Sequence, residues 1–228
     1  MSSTSIEWCD YSLNPVKGLC PVACSYCYAR RMYKRYHWNE TIRFEHATFL
    51  RELGQIHKPS RIFVGSTMDL FGDWVQKEWM EQILDVVKYL KQHTFIFLTK
   101  RPAGMAQWSF PDNCWVGVSM TEPFPVTFPL KHLAAVQAKV KFVSFEPLLE
   151  WGYLSRIGES LERAGVNWVI IGQQTPVSKK TAPEPAWVQD ILVGAHNAGC
   201  LPVFIKDNLV PVLAEAWPGW TPLREFPR

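Results

Sequence analysis

Cys20, Cys24 and Cys27 stand in the order Cys-x3-Cys-x2-Cys, with Tyr26 directly before the third. This spacing offers three thiolates, not four, from one short loop. A tetrahedral structural zinc wants a closed set of four ligands, and a catalytic metal keeps one position open. A four-iron cluster held by three cysteines leaves one iron free for a substrate or cofactor, unlike the four-cysteine sets of electron carriers. The loop reads as an open cluster site. The competing reading of the same spacing is a structural zinc completed by Cys9 or His37.

Such a loop needs elements to hold it. Short apolar runs, rich in β-branched and aromatic residues, recur along the chain: Arg61–Gly65, Thr94–Thr99, Trp115–Ser119, Lys141–Phe145, Trp168–Gly172 and Pro202–Ile205. Nearly continuous apolar character fits parallel strands buried on both faces. An earlier strand is expected at Ser12–Val16, feeding the cysteine loop. Amphipathic stretches between the runs predict helices at Ala29–Tyr36, Phe49–Ile56, Trp74–Gln92, Leu130–Ala138, Leu154–Ala164 and Trp187–Ala198. The longest is expected to be capped by Asp73 and to bury Trp79, Ile83, Val86, Val87 and Leu90; Gly199 should end the last. The alternation predicts an α/β fold: a parallel sheet with right-handed crossovers and outer helices, open or closed into a barrel, in one domain.

In α/β folds of this kind the active site lies at the carboxyl ends of the strands. That rule selects Ser66, Thr67 and Asp69 after one strand, and Lys100 and Arg101 after the next. It then selects Ser119 and Thr121, Glu146, Gln173 and Gln174, and finally Lys206 and Asp207. The cysteine loop would open onto the same face.

Composition sets bounds on the setting. A chain of 228 residues with 47% hydrophobic residues can bury a real core without disulfides. Of its six cysteines, Cys9, Cys114 and Cys200 are scattered, so no disulfide framework is expected. The net charge of +3 permits an anionic partner without demanding one. The opening residues lack the basic and apolar regions of a signal peptide, and no apolar run is long enough to span a membrane. A reducing cytoplasm is the expected compartment.

The segment Cys20-Pro-Val-Ala-Cys24-Ser-Tyr-Cys27 resembles the signature of the radical S-adenosylmethionine (SAM) enzymes. More narrowly, the chain is similar to a phage and prokaryotic three-Cys-motif, radical-SAM-like family of unassigned function. The similarity runs through Ile6-Glu7-Trp8, Asn14-Pro15-Val16, Cys24 to Ala29, Met68-Asp69-Leu70-Phe71 and Leu98-Thr99-Lys100-Arg101-Pro102. It continues through Trp115 to Ser119, Glu146-Pro147-Leu148-Leu149 and Phe204-Ile205-Lys206. A more distant likeness is to spore photoproduct lyase, which repairs a thymine lesion in DNA. Two departures fall at strand ends. The family pattern has Gly-Gly-Glu where this chain has Gly172-Gln173-Gln174, and Lys-Gln-Trp-Gly where it has Lys206-Asp207-Asn208-Leu209.

The resemblance implies a partial (β/α)6-type barrel, a [4Fe-4S] cluster on Cys20, Cys24 and Cys27, and SAM as cofactor. It implies reductive cleavage of SAM to a 5′-deoxyadenosyl radical that abstracts a substrate hydrogen, with a one-electron donor of ferredoxin or flavodoxin type as partner. Tyr26 would pack against the adenine, while Ser66, Thr67, Asp69, Lys100, Arg101, Ser119 and Gln173 would serve the rest of the cofactor. Glu146, Lys206 and Asp207 are the candidates for catalysis. Cys9 would be a hydrogen-atom donor that quenches a product radical.

Plainer readings stand beside each of these. Asp69 would cap a helix, Lys100 and Arg101 would lie on a solvated loop, Glu146 would form an ordinary ion pair, and Cys9 would pack. Cys114 and Cys200 read as small core hydrophobes, and the eleven tryptophans as mostly core and pocket lining. The segment from Tyr28 to Trp38 interleaves cations with aromatics. It reads either as a contact for a nucleic acid or nucleotide, or as a helix with one packed aromatic face and one solvated basic face. The expected substrate is a nucleobase, free or within DNA or RNA, and a partner protein would extend the binding surface of so short a chain. A nucleic-acid-binding zinc protein and an Fe–S redox module without SAM chemistry are the rival functions.

Overall fold

The computed structural model describes residues 4–121, 127–152 and 156–227. It is a mixed α/β fold whose contacts divide it into two compact units: Met1–Val116 with Gln137–Lys139, and Gly117–Val136 with Val140–Arg228. No described helix is long and apolar enough to cross a membrane.

In the first unit, β1 (Tyr11–Leu13), β4 (Arg61–Val64) and β5 (Thr94–Thr99) run parallel, and the opening residues of β6 (Cys114–Ser119) lie beyond β5. The register sets Leu13 beside Val64 and Phe97 beside Val64 from the other side. Ile62, Val64, Phe95, Ile96 and Phe97 are all buried, as strands covered on both faces must be. The expected strand at Ser12–Val16 is two pieces. β1 ends at Leu13, Pro15 interrupts the ladder, and β2 (Val16–Lys17) turns aside to pair antiparallel with β3 (Arg43–Phe44).

Helices α1 (Tyr28–Tyr36), α2 (His46–Leu53), α3 (Lys77–Tyr89) and the short α4 (Pro102–Met105) complete this unit. α3 begins three residues later than the pattern predicts, and Asp73 does not cap it: Gln76 holds the N-cap position without a side-chain bond. The cause lies upstream, where the Trp74 indole turns back to donate to the Asp69 carbonyl (2.9 Å), holding residues 72–76 as a turn. Met80, Ile83 and Val87 form the buried stripe, while Trp79, Val86 and Leu90 lie half-buried at its edges.

In the second unit the order is β6, β7 (Val140–Phe145), β8 (Trp168–Ile171) and β9 (Val203–Ile205), with β7, β8 and β9 parallel. Helices α5 (Thr127–Ala135), α6 (Ile157–Arg163), α7 (Pro185–Asn197) and α8 (Val210–Ala216) complete it, with a 3-10 turn at Asp207–Leu209. The predicted start of α6 at Leu154 lies outside the described residues. Alternation splits the strands cleanly. Phe142, Trp168 and Phe204 share one face with Phe226 of the C-terminal segment, their rings 5.3–6.4 Å apart. That segment pairs with β9: the Ile205 N–H donates to the Leu223 carbonyl and the Glu225 N–H to the Val203 carbonyl. It thereby covers what would be an open sheet edge.

Two cysteine expectations separate here. Cys114 is fully buried, as expected of a small core residue. Cys200 is exposed, because Gly199 (φ +98°) and Cys200 (φ +56°) in succession turn the chain outward between α7 and β9. Of the eleven tryptophans only Trp8, Trp151 and Trp168 are buried; most of the others are half-buried and Trp38 is exposed.

Candidate metal centre

The cysteine loop leaves β2 through Gly18, whose φ of +126° brings its backbone against Ile42; a Cβ there would lie 2.6 Å from the Ile42 Cα. Only glycine fits. The Gly18 N–H donates to the Tyr33 hydroxyl (2.8 Å) and the Leu19 N–H to the Glu40 carbonyl (2.9 Å), so the loop's entry is tied to α1 and to the segment after it. Its exit is the start of α1. There Cys27 is the N-cap and its sulfur accepts the Arg30 N–H (3.5 Å). The Arg30 guanidinium reaches back to donate to the Cys20 carbonyl (2.8 Å). Inside, the Ala23 and Cys27 N–H groups donate to the carbonyls of Cys20 and Cys24.

The three thiols are free, half-exposed, and line one small cavity of about 30 Å3 together with Arg30 and Thr67. Burial pushes the Cys20 thiol up from its ordinary value, while main-chain N–H bonds from Asp69 and Val22 to its sulfur pull the other way. The Cys27 sulfur sits at the positive end of the α1 dipole. N–H groups aimed at sulfur favour the thiolate, the form that binds metal.

A zinc ion draws its sulfurs to about 2.3 Å, and so to within about 3.8 Å of one another. Among the described residues, no three His, Cys, Asp or Glu side chains gather closely enough to hold a single ion. The residues named to complete a zinc site are also out of reach. Cys9 precedes β1, at the end of the strands where Asp10 pairs with Arg61, whereas Ser66 follows the far end of β4. Four residues of strand alone separate those ends by about 13 Å. His37 follows the last turn of α1, ten residues after Cys27, or about 15 Å of helix. The same placement separates Cys9 from the thiol loop as a hydrogen-atom donor. Buried beside Trp8, with its thiol 3.7 Å from the Ile6 carbonyl, it packs the amino ends of the strands. The donor set that remains is three separate thiols. These are the sulfur donors that the loop would offer to an iron–sulfur cluster, one thiolate per iron.

The strand-end residues of the first unit gather around this loop. Asn14, directly after β1, organises two of them: its Nδ2 donates to the Ser66 hydroxyl (3.1 Å), and its Oδ1 accepts from the Thr67 N–H and hydroxyl (both 2.9 Å). The Tyr28 hydroxyl donates to the Ser66 carbonyl (2.7 Å). The Asp69 carboxylate accepts from the Thr99 hydroxyl (2.7 Å), the Lys100 N–H (2.8 Å) and the Phe71 N–H (3.1 Å), tying the loop after β4 to the end of β5. The Lys100 ammonium lies over the Tyr26 ring, 5.6 Å from its centre. Arg101 does not join them: it lies over Trp74 and beside Asp73.

The second unit gathers its own group. Gly172 carries no side chain between the ends of β7 and β9, and a Cβ there would meet Lys206 and Glu146 at 2.9 and 3.3 Å. Across that gap the Lys206 ammonium donates to the Glu146 carboxylate, both largely shielded from water. The Ser119 hydroxyl donates to the Glu146 carbonyl (3.1 Å). Gln173 points elsewhere. It is buried, its amide donates to the Asn208 carbonyl, and Asn208 returns a bond to the Gln173 carbonyl (2.8 Å). Asp207 is mostly exposed and pairs with Arg224.

A family profile described as "Protein of unknown function (DUF5131)" matches residues 3–208. The chain belongs to this family. The matched span takes in every candidate residue from Cys9 to Asp207 and stops before α8 and the C-terminal segment that covers β9. No curated protein and no solved structure gives a significant match.

Asn14, Arg30 and Asn208 were not among the residues expected from the sequence, yet each organises part of a site. Asn14 carried a signal, a short polar side chain between a strand and Pro15, the type of residue that bonds neighbouring backbone. Arg30 lay in the basic–aromatic segment and Asn208 in a departure from the family pattern, but their partners are defined only by the folded loops.

Proposed function

We propose that this protein is a radical SAM enzyme whose cluster is held by Cys20, Cys24 and Cys27. The observation that carries the reading is a loop of three free thiols, fixed at both ends and supplied with N–H donors to sulfur, beside the carboxyl ends of parallel strands. The Cys-x3-Cys-x2-Cys spacing with Tyr26 supports it independently. A partial barrel is the architecture that this reading assigns to the parallel strands and their outer helices.

When bound, a [4Fe-4S] cluster and SAM supply a one-electron route to an organic radical. The chain's own residues hold and shield. Gly18, Tyr33 and Arg30 fix the loop so that the three sulfurs keep their spacing. Lys100 brings a positive charge to the Tyr26 ring, placing a cation and an aromatic face together near the thiols, a pair suited to a carboxylate and an adenine. Ser66 and Thr67, oriented by Asn14, offer oxygen acceptors for an ammonium or ribose hydroxyls. Asp69 braces the loop against β5 and is assigned positioning rather than contact.

The test is anaerobic reconstitution with iron and sulfide, followed by SAM and dithionite. The reading expects broad absorption near ~400 nm and formation of 5′-deoxyadenosine. A colourless protein with stoichiometric zinc would overturn it, and a cluster that never cleaves SAM would favour a redox module.

A further inference from the structure

Helix α1 reads Tyr-Ala-Arg-Arg-Met-Tyr-Lys-Arg-Tyr and contains no acidic residue. The residue after it, His37, adopts a left-handed conformation (φ +51°), and the Trp38 N–H donates to the Tyr33 carbonyl (3.2 Å), folding the chain back along the helix. Trp38 then stacks on Tyr36 (5.7 Å, 23° between planes) and meets Tyr33 edge-on (5.3 Å). Arg35 lies over the Tyr36 ring at 5.4 Å. Tyr36 and Trp38 are 52% and 42% exposed, so this aromatic pair faces water instead of a core.

The fold-back creates a cleft of about 620 Å3, within the ~300–1,000 Å3 range of ligand sites. Arg30, Arg31, Lys34, His37 and Trp38 line it, and Glu40 is the one acid on its described lining. Leu19, Arg30 and Tyr33 line both this cleft and the small cavity of the three thiols, so the two share a wall.

We propose that this cleft, with the exposed Tyr36–Trp38 stack and Arg35 beside it, holds a single-stranded nucleic acid, bases stacking on Trp38 and phosphates meeting Arg31, Lys34 and Arg35. Residues three and four apart on a helix are about 5–6 Å apart, which gives α1 a row of cations rather than a point charge. A polyanion answers a row of cations, and an exposed aromatic stack answers unpaired bases, which every nucleotide presents regardless of sequence. A duplex hides those faces. An anionic membrane would use the cations but leave the cleft beside Trp38 without a partner. The proposal names the substrate class for the enzyme reading and rests on that reading for what is done to the strand, but binding itself needs no cluster.

The experiment measures fluorescence anisotropy of a labelled oligothymidylate and an oligouridylate, each about 16 nucleotides long, against a duplex of equal length and phosphatidylserine vesicles. Single strands should bind most tightly, with affinity falling steeply as salt rises. Trp38→Ala should weaken binding about tenfold, Trp38→Phe should restore most of it, and Lys34→Glu with Arg35→Glu should weaken it further. Equal binding of duplex, binding of vesicles alone, or indifference to Trp38→Ala would overturn the proposal. If the charge-reversed variant melts early, the Trp38 pair of variants decides alone. Cys24→Ala should bind oligonucleotide normally. Binding without 5′-deoxyadenosine formation would sink the enzyme reading and leave the cleft; 5′-deoxyadenosine without binding would do the reverse.

Discussion

The Asp69 carboxylate accepts the Thr99 hydroxyl (2.7 Å) and the Lys100 N–H (2.8 Å) at the end of β5, while the Asp69 main chain lies beside the Cys20 thiol and favours its thiolate. One residue thus joins the thiol loop to two strands. Asp69→Asn is the sharper probe, because its new NH2 group would face either the Lys100 N–H or the Thr99 hydroxyl proton. It should destabilise the fold by roughly 1–3 kcal/mol in urea denaturation and lower the iron retained per chain. Unchanged stability and iron content would remove Asp69 from this role.

Thiol accessibility separates the six cysteines. In the native metal-free protein Cys20, Cys24, Cys27 and Cys200 should react rapidly with a thiol reagent, and buried Cys9 and Cys114 only after unfolding. Loading with iron and sulfide should protect the first three and leave Cys200. Rapid reaction of all six in the native state would contradict the burial of Cys9 and Cys114.

Alkaline stability reports on the buried thiol. Burial pushes Cys114 up from 9.0 to about 12, so the folded chain keeps a proton that the unfolded chain releases. The contribution is fully present below the unfolded value near pH 9, and is lost as pH rises from there toward about 12. Cys20 shifts in the same direction, also through burial. Cys114→Ala should therefore flatten the fall in stability above pH 9 relative to the parent. Parallel curves for the two proteins would refute the shift.

The Glu146–Lys206 pair depends on the bare backbone of Gly172. Gly172→Ala should force the pair apart and cost roughly 1–3 kcal/mol. Lys206→Met alone, leaving a shielded carboxylate unpaired, should cost more than the double change with Glu146→Gln. Additive effects in that cycle would show that the two do not interact.

Much of this architecture was legible in the sequence because it rests on burial. The middle of β5 and the whole of β8 are continuous apolar runs, and Cys20, Cys24 and Cys27 announce themselves by spacing. Three kinds of feature were not legible. Asp73 failed as a cap because the Trp74 indole folds back on Asp69, a contact across a turn that periodicity does not register. Gln173 read as a cofactor contact from its place after β8, but Asn208 claims it from 35 residues away. One residue from each departure, Gln173 and Asn208, thus meets in a reciprocal contact. The exposed stack of Tyr36 and Trp38 needed the left-handed turn at His37, which no local residue preference demanded.

The most direct test of the central claim is the iron content and SAM turnover of anaerobically reconstituted protein, measured beside its Cys24→Ala variant. The account predicts about four irons per chain and 5′-deoxyadenosine from the parent, with both lost together in the variant. Zinc in place of iron, or turnover that survives Cys24→Ala, would contradict it.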